Sequence, residues 1–189
     1  SNSKTILHNQ AGFYPVIETD EHGFHNPKGL YQKNKVDIVI TGDSFAEGYA
    51  VNSDQNISAY LRNNNFHTIT LGKGGNGPLL EFATLKEYAE PLKPKIVLWF
   101  YFGNDLNNLS SEIQSTILMQ YFDDINFSQN LIKRQKEIDE TLMRYVNQRW
   151  KKEEEKQWQR ESLSSKYFIK ILKLYNLRKA LELIPKVKN

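Results

Sequence analysis

Three short apolar runs constrain this chain more than any other feature, because each hands over to a turn rich in Gly, Asn or Ser. Residues 36–40 (Val36-Asp37-Ile38-Val39-Ile40) are β-branched and mostly apolar, as a strand covered on both faces requires. They lead into Thr41-Gly42-Asp43-Ser44. Residues 68–71 form a second run and end in Gly72-Lys73-Gly74-Gly75-Asn76-Gly77-Pro78. Residues 96–102 are an unbroken apolar run, expected to be a fully buried third strand, and end in Gly103-Asn104-Asp105.

Helical spacing fills the gaps. Residues 53–64 open at Ser53 or Asp54 as a cap and place Ile57, Tyr60 and Leu61 on one face. Pro78 suits a first helical position, and Leu79, Phe82, Leu85, Ala89 and Leu92 then form one stripe, closed by Pro94. The alternation β–α–β–α–β over residues 36–105 implies parallel strands joined by right-handed crossovers. In such sheets the loops beyond the carboxyl ends of the strands carry the ligand chemistry.

The flanks differ in texture. Residues 1–35 read as loop, punctuated by Gly12, Pro15, Gly23, Pro27 and Gly29. Beyond residue 105 the pattern is helical. Residues 129–161 carry Leu131, Ile138, Leu142, Tyr145, Val146 and Trp150 at helical spacing. Residues 162–165 read as a break, and residues 166–184 as a second amphipathic helix bearing Phe168, Ile171, Leu172, Tyr175 and Leu181. We therefore divide the chain into an α/β core, residues 1–128, and a charged helical insertion or hairpin, residues 129–189. Charge supports two parts: residues 1–130 hold 9 Lys/Arg against 14 Asp/Glu, and residues 131–189 hold 16 against 8.

Composition narrows the chemistry. With no cysteine, disulfides, thiolate catalysis and cysteine-ligated zinc are excluded. No apolar run approaches the ~20 residues of a membrane span, and no leader pattern opens the chain. The compartment stays open between the cytoplasm and an exported protein stripped of its leader. No Gly-x-Gly-x-x-Gly precedes a helix and no Gly-Lys-Ser/Thr occurs, so nucleotide binding lacks support. Nucleic-acid binding is not expected, because the C-terminal Lys/Arg residues are interleaved with Glu. The basic stretch 166–184 is the candidate for contact with an anionic membrane surface.

Three residues carry candidate chemistry. Ser44, on a sharp turn after a buried strand, suits an exposed nucleophile; the bland reading is a helix cap or a turn serine. Gly75 offers a backbone N–H that a developing oxyanion can approach; the bland reading is a tight turn. Asn104 offers a side-chain amide for the same oxyanion; the bland reading is an Asx turn. Together, in the order Ser, Gly, Asn at successive strand ends, they say more than any one of them.

At this point the chain resembles the SGNH hydrolase family, the GDSL-like esterases and lipases, over residues 36–105. Gly42-Asp43-Ser44-Phe45 is similar to the first family block. The segment from Leu71 to Pro78 is similar to the second, with Gly75 at the oxyanion glycine, and Phe102-Gly103-Asn104-Asp105 to the third, with Asn104 at the oxyanion asparagine. The resemblance implies a flavodoxin-like three-layer α/β/α fold with a parallel sheet, incomplete here. It also implies hydrolysis of small acyl esters, such as an acylated carbohydrate, through an acyl-serine, with no metal or organic cofactor. Thr70 stands where the second block often has Asn, and Phe102 where the third has Gly.

The family's last block, Asp-x-x-His, supplies the base, and this chain has no histidine after His67. A serine hydroxyl without a base is a weak nucleophile, and triad loss typically costs ~10⁴–10⁶-fold in rate. The expectation is a truncated piece whose helical segment interrupts the sheet before its remaining strands. Of the upstream histidines, His22 and His25 lie on a loop able to fold over the sheet edge, whereas His67 starts a strand at the opposite end. Two rival readings are a non-catalytic binding module on the same fold, and a membrane-surface or scaffold protein using the basic helices.

Overall fold

The computed structural model describes residues 1–7, 9 and 12–180, with side chains throughout except at residues 162–165 and 169–180. Two compact units result, residues 1–138 and 139–189.

The first unit is mixed α/β. A parallel sheet of three strands has β3 (Ile38–Thr41) in the centre, flanked by β4 (Thr68–Thr70) and β5 (Ile96–Trp99). Crossovers run through α1 (Ser44–Glu47) and α2 (Ile57–Asn63), then through α3 (Pro78–Thr84) with a π-turn at Leu85–Ala89 and a 3-10 turn at Glu90–Leu92. α4 (Asp105–Glu112) and α5 (Thr116–Asp123) follow. This arrangement is compatible with a flavodoxin-like layout.

Strand alternation sends successive residues of β3 to opposite faces. Val39, with Ile69 and Leu71, packs on Tyr88, Ala89 and Leu92 from the end of the α3 segment. Ile38 and Ile40 pack on Ala46 of α1 and Leu61 of α2 on the other side. Helical elements thus cover both faces of the central strand, which explains its uninterrupted β-branched character.

Four sequence expectations need correction. β5 is an edge rather than a fully buried strand: Ile96 and Val97 are 50% and 45% exposed. An apolar run alone does not distinguish a central strand from an edge strand. α2 starts at Ile57, capped by Asn56, whose side chain accepts from Ala59 N–H at 2.7 Å. Ser53 is instead engaged by Glu18 N–H and the His25 ring. Residues 1–35 are not all loop, since β1 (Lys4–Ile6) pairs antiparallel with β2 (Val16–Glu18).

The fourth correction concerns α6, which runs as one helix over Gln135–Ala180, straight through residues 162–165. Serine costs a helix well under ~1 kcal/mol relative to alanine, far less than proline, so Ser162, Ser164 and Ser165 need not break it. In the second unit the α6 side chains of Leu142, Tyr145, Trp150, Trp158 and Phe168 are exposed. No described helix is long and apolar enough to cross a membrane. The proposed membrane-contact stretch, residues 166–184, falls largely outside the described side chains.

Candidate functional site

The turn after β3 puts Asp43, not Ser44, in the capping role. The Asp43 side chain accepts from Phe45 N–H at 3.0 Å, and Ser44 is the first residue of α1. The helix-cap reading of Ser44 therefore fails. Ser44 is half-buried, and among the described residues its hydroxyl has no hydrogen-bond partner. It opens on a cleft of about 550 Å³ whose walls include Phe45, Tyr49, Val51, Gln55 and Ile57, with Gly74 beside Ser44.

The loop after β4 runs close against α1. A Cβ on Gly72 would lie 2.5 Å from the main chain of Ala46 and Glu47, so no side chain fits there. A Cβ on Gly74 would lie 3.5 Å from Ser44 Cβ, which sets the loop directly against the serine. Gly75 has φ +88°, a left-handed conformation that favours glycine, and is exposed with open space where a side chain would be. No acceptor among the described residues takes its N–H.

Two buried glutamates hold this loop, and neither was found from sequence. Glu47 Oε2 accepts from Gly74 N–H at 2.7 Å, while Oε1 pairs with Lys73. At the far end, Glu112 of α4 accepts from Gly77 N–H at 2.7 Å and Leu79 N–H at 2.9 Å, capping α3 where Gly77 has no side chain to do so. The loop is thus clamped at both ends around Gly75 by charge-assisted bonds. The available signal was only a Glu in the helix after each strand end.

The third loop joins the same edge. Asn104 precedes α4, but its side chain makes no capping bond, and its Oδ1 is buried without a partner among the described residues. The local turn is closed instead by Asp105, whose Oδ2 accepts from Phe102 N–H at 2.7 Å. The Asx-turn reading of Asn104 is therefore not the observed one. Phe102 packs on Phe45, ring centroids 5.0 Å apart, and Asn108 Nδ2 donates to Asn76 O at 3.3 Å. These contacts bring the first and third loops together, and tie the second loop to α4.

No histidine among the described residues makes a hydrogen bond to Ser44. His25 is buried, with Nδ1 on Glu47 O and Nε2 on Ser53 Oγ, both at 2.9 Å. Burial holds its pKa below the usual value. His22 Nδ1 meets Gln135 Oε1 at 2.8 Å, and its ring sits against Tyr31 and Tyr88. His67 lies at the opposite, amino-terminal end of β4, and His8 is outside the described residues.

A further carboxylate group adjoins the site. Glu81 of α3 is wholly buried and accepts from Trp99 Nε1. Burial, with Asp105, Asp43 and Glu112 as negative neighbours, pushes its pKa up to about 7. Among the described residues no three of His, Asp and Glu are placed to share a metal ion.

In comparison with known proteins, no family model, no curated protein and no solved structure matches this chain.

Proposed function

We propose that residues 36–105 form the nucleophile and oxyanion half of an SGNH-type serine hydrolase acting on small acyl esters. One observation carries the reading. Ser44 presents an unengaged hydroxyl to a cleft, directly beside a glycine loop whose Gly75 N–H is unengaged too. In this mechanism Ser44 Oγ attacks the ester carbonyl carbon and its proton passes to a base. The oxyanion is held by the N–H groups of Ser44 and Gly75 and by the Asn104 amide. Collapse breaks the C–O bond, the alcohol leaves with the proton, and water then hydrolyses the acyl-serine. Each oxyanion donor is worth ~10²–10³ in rate.

The base comes from outside the described residues, since His22 and His25 are engaged elsewhere. The substrate class, a small acyl ester such as an acylated carbohydrate, rests on the resemblance together with the mixed apolar and amide lining of the cleft. The same observation on the histidines favours a second reading, a binding module on this fold with Ser44 as a contact residue.

An aryl acetate with added imidazole, which substitutes for the absent base, tests the proposal. Intact-mass analysis should find one acetyl group per chain, localised to Ser44, formed faster with imidazole and absent in Ser44→Ala. Equal acetylation of parent and Ser44→Ala would sink the serine mechanism and leave the binding reading.

A further inference from the structure

Besides Asn104 Oδ1, three buried oxygen atoms near the carboxyl ends of β3 and β5 lack any hydrogen-bond partner among the described residues: Thr41 Oγ1, Glu81 Oε1 and Asp105 Oδ1. All three residues are 0% exposed. They belong to one neighbourhood. Thr41 pairs with Trp99 in the β3–β5 register, Trp99 Nε1 donates to Glu81 Oε2, and Asp105 is the charged group acting most strongly on Glu81. Asp105 also closes the turn that carries Asn104, through its other oxygen on Phe102 N–H.

An ionised, fully buried Glu81 with one N–H donor is costly, because burial removes water without supplying a cation. The strongest charges facing it are all negative: Asp105 and Glu112 from α4, and Asp43 from the turn before α1. From β5 the neutral Trp99 indole donates to it. A protonated carboxyl changes the count, since one acceptor oxygen becomes an O–H donor. Asp105 Oδ1 is a buried acceptor in need of that donor.

We propose that Glu81 is held as a neutral acid in the folded protein up to about neutral pH and directs its proton to Asp105 Oδ1, which makes it a positioning residue for the Asn104 turn. α3 and α4 are then joined by a hydrogen bond at the residue that follows Asn104. Loss of the proton leaves two buried carboxylates facing each other, and the turn loses its anchor to α3. The effect on Asn104 rests on the oxyanion reading above; the shared proton does not. The neutral acid of ketosteroid isomerase is the general precedent for an apolar site that keeps a carboxyl protonated.

Trp99 reports the proton directly. Trp150Phe/Trp158Phe leaves it as the one tryptophan of the three in the chain, and its emission is titrated from about pH 5 to about pH 9. The expected result is a transition near 7 in the Glu81 protein, matching the neighbourhood-raised value, and its absence in Glu81→Gln, which mimics the neutral acid. Only the difference between the two proteins is read. Asp105→Asn removes the negative neighbour and should shift the transition down.

A transition unchanged in Glu81→Gln, or missing from the parent, overturns the proposal. If Glu81→Gln fails to fold by circular dichroism, the Asp105→Asn shift decides, and an unshifted transition overturns it. Ser44 acetylation with imidazole, followed over the same range, should fall in the parent relative to Glu81→Gln above the transition. Failure of acetylation at every pH would remove the hydrolase reading while the tryptophan titration still decides the proton.

Discussion

Glu112→Ala should be among the most damaging single changes in the first unit. The Glu112 carboxylate is 7% exposed and accepts two backbone N–H groups, from Gly77 and Leu79, at the start of α3. Those N–H groups have no intrahelical acceptor. Truncation removes both bonds and leaves two buried donors without partners. A hydrogen bond to a charged group contributes ~1.5–3 kcal/mol, and each stranded donor costs ~1–3 kcal/mol. Those figures overlap rather than add, so the expected loss is about 3–4 kcal/mol. That is a large part of the ~5–15 kcal/mol that holds a domain of this kind together. Glu112→Gln keeps one acceptor oxygen but turns an NH₂ toward the other N–H, so about half the loss is expected. Urea unfolding followed by Trp99 emission in the Trp150Phe/Trp158Phe background provides the measurement, with stability read from the midpoint at unchanged slope. A Glu112→Ala loss below about 1 kcal/mol, or a glutamine variant as unstable as alanine, would refute the clamp.

Two further outcomes follow from the same geometry. Gly72→Ala forces a methyl group to within 2.5 Å of the Ala46 and Glu47 main chain, so a loss of about 1–3 kcal/mol is expected by thermal or urea unfolding, with Gly75→Ala strained for a different reason, its φ of +88°. His25, whose folded pKa lies below 6.5, makes stability fall as pH drops below 6.5, because the unfolded chain then binds a proton that the folded chain refuses. Replacing His25 with Asn should flatten that acid limb in a pH series of urea midpoints, and an unchanged acid limb would count against the assignment.

Local pattern made much of the core legible. Short, mostly apolar runs placed β3 and β4 to within a residue or two, and Pro78 marked the start of α3 as its missing N–H demands. The turn residues Gly42, Gly72 and Asn104 stood out because close approach and strand ends restrict which residues serve there. Boundaries set by side chains reaching back from elsewhere were less visible. α2 begins at Asn56 rather than Ser53 because Ser53 is taken by Glu18 N–H and His25, residues distant in the chain.

The sequence by itself determined the alternation of strands and helices over residues 36–105 and the residues delivered to the carboxyl edge, since these follow from apolar runs and helical spacing read within a few neighbours. Only the tertiary structure decided that β5 lies at an edge, that His25 is engaged on both ring nitrogens, and that Glu47 and Glu112 grip the Gly75 loop from 27 and 35 residues away. The same holds for Glu81, whose ordinary-looking place in a helix, outside its apolar stripe, becomes a buried acid only once β5 and α4 close around it. A carboxylate's partners and protonation depend on burial and on charges brought from distant segments, and no local pattern encodes either.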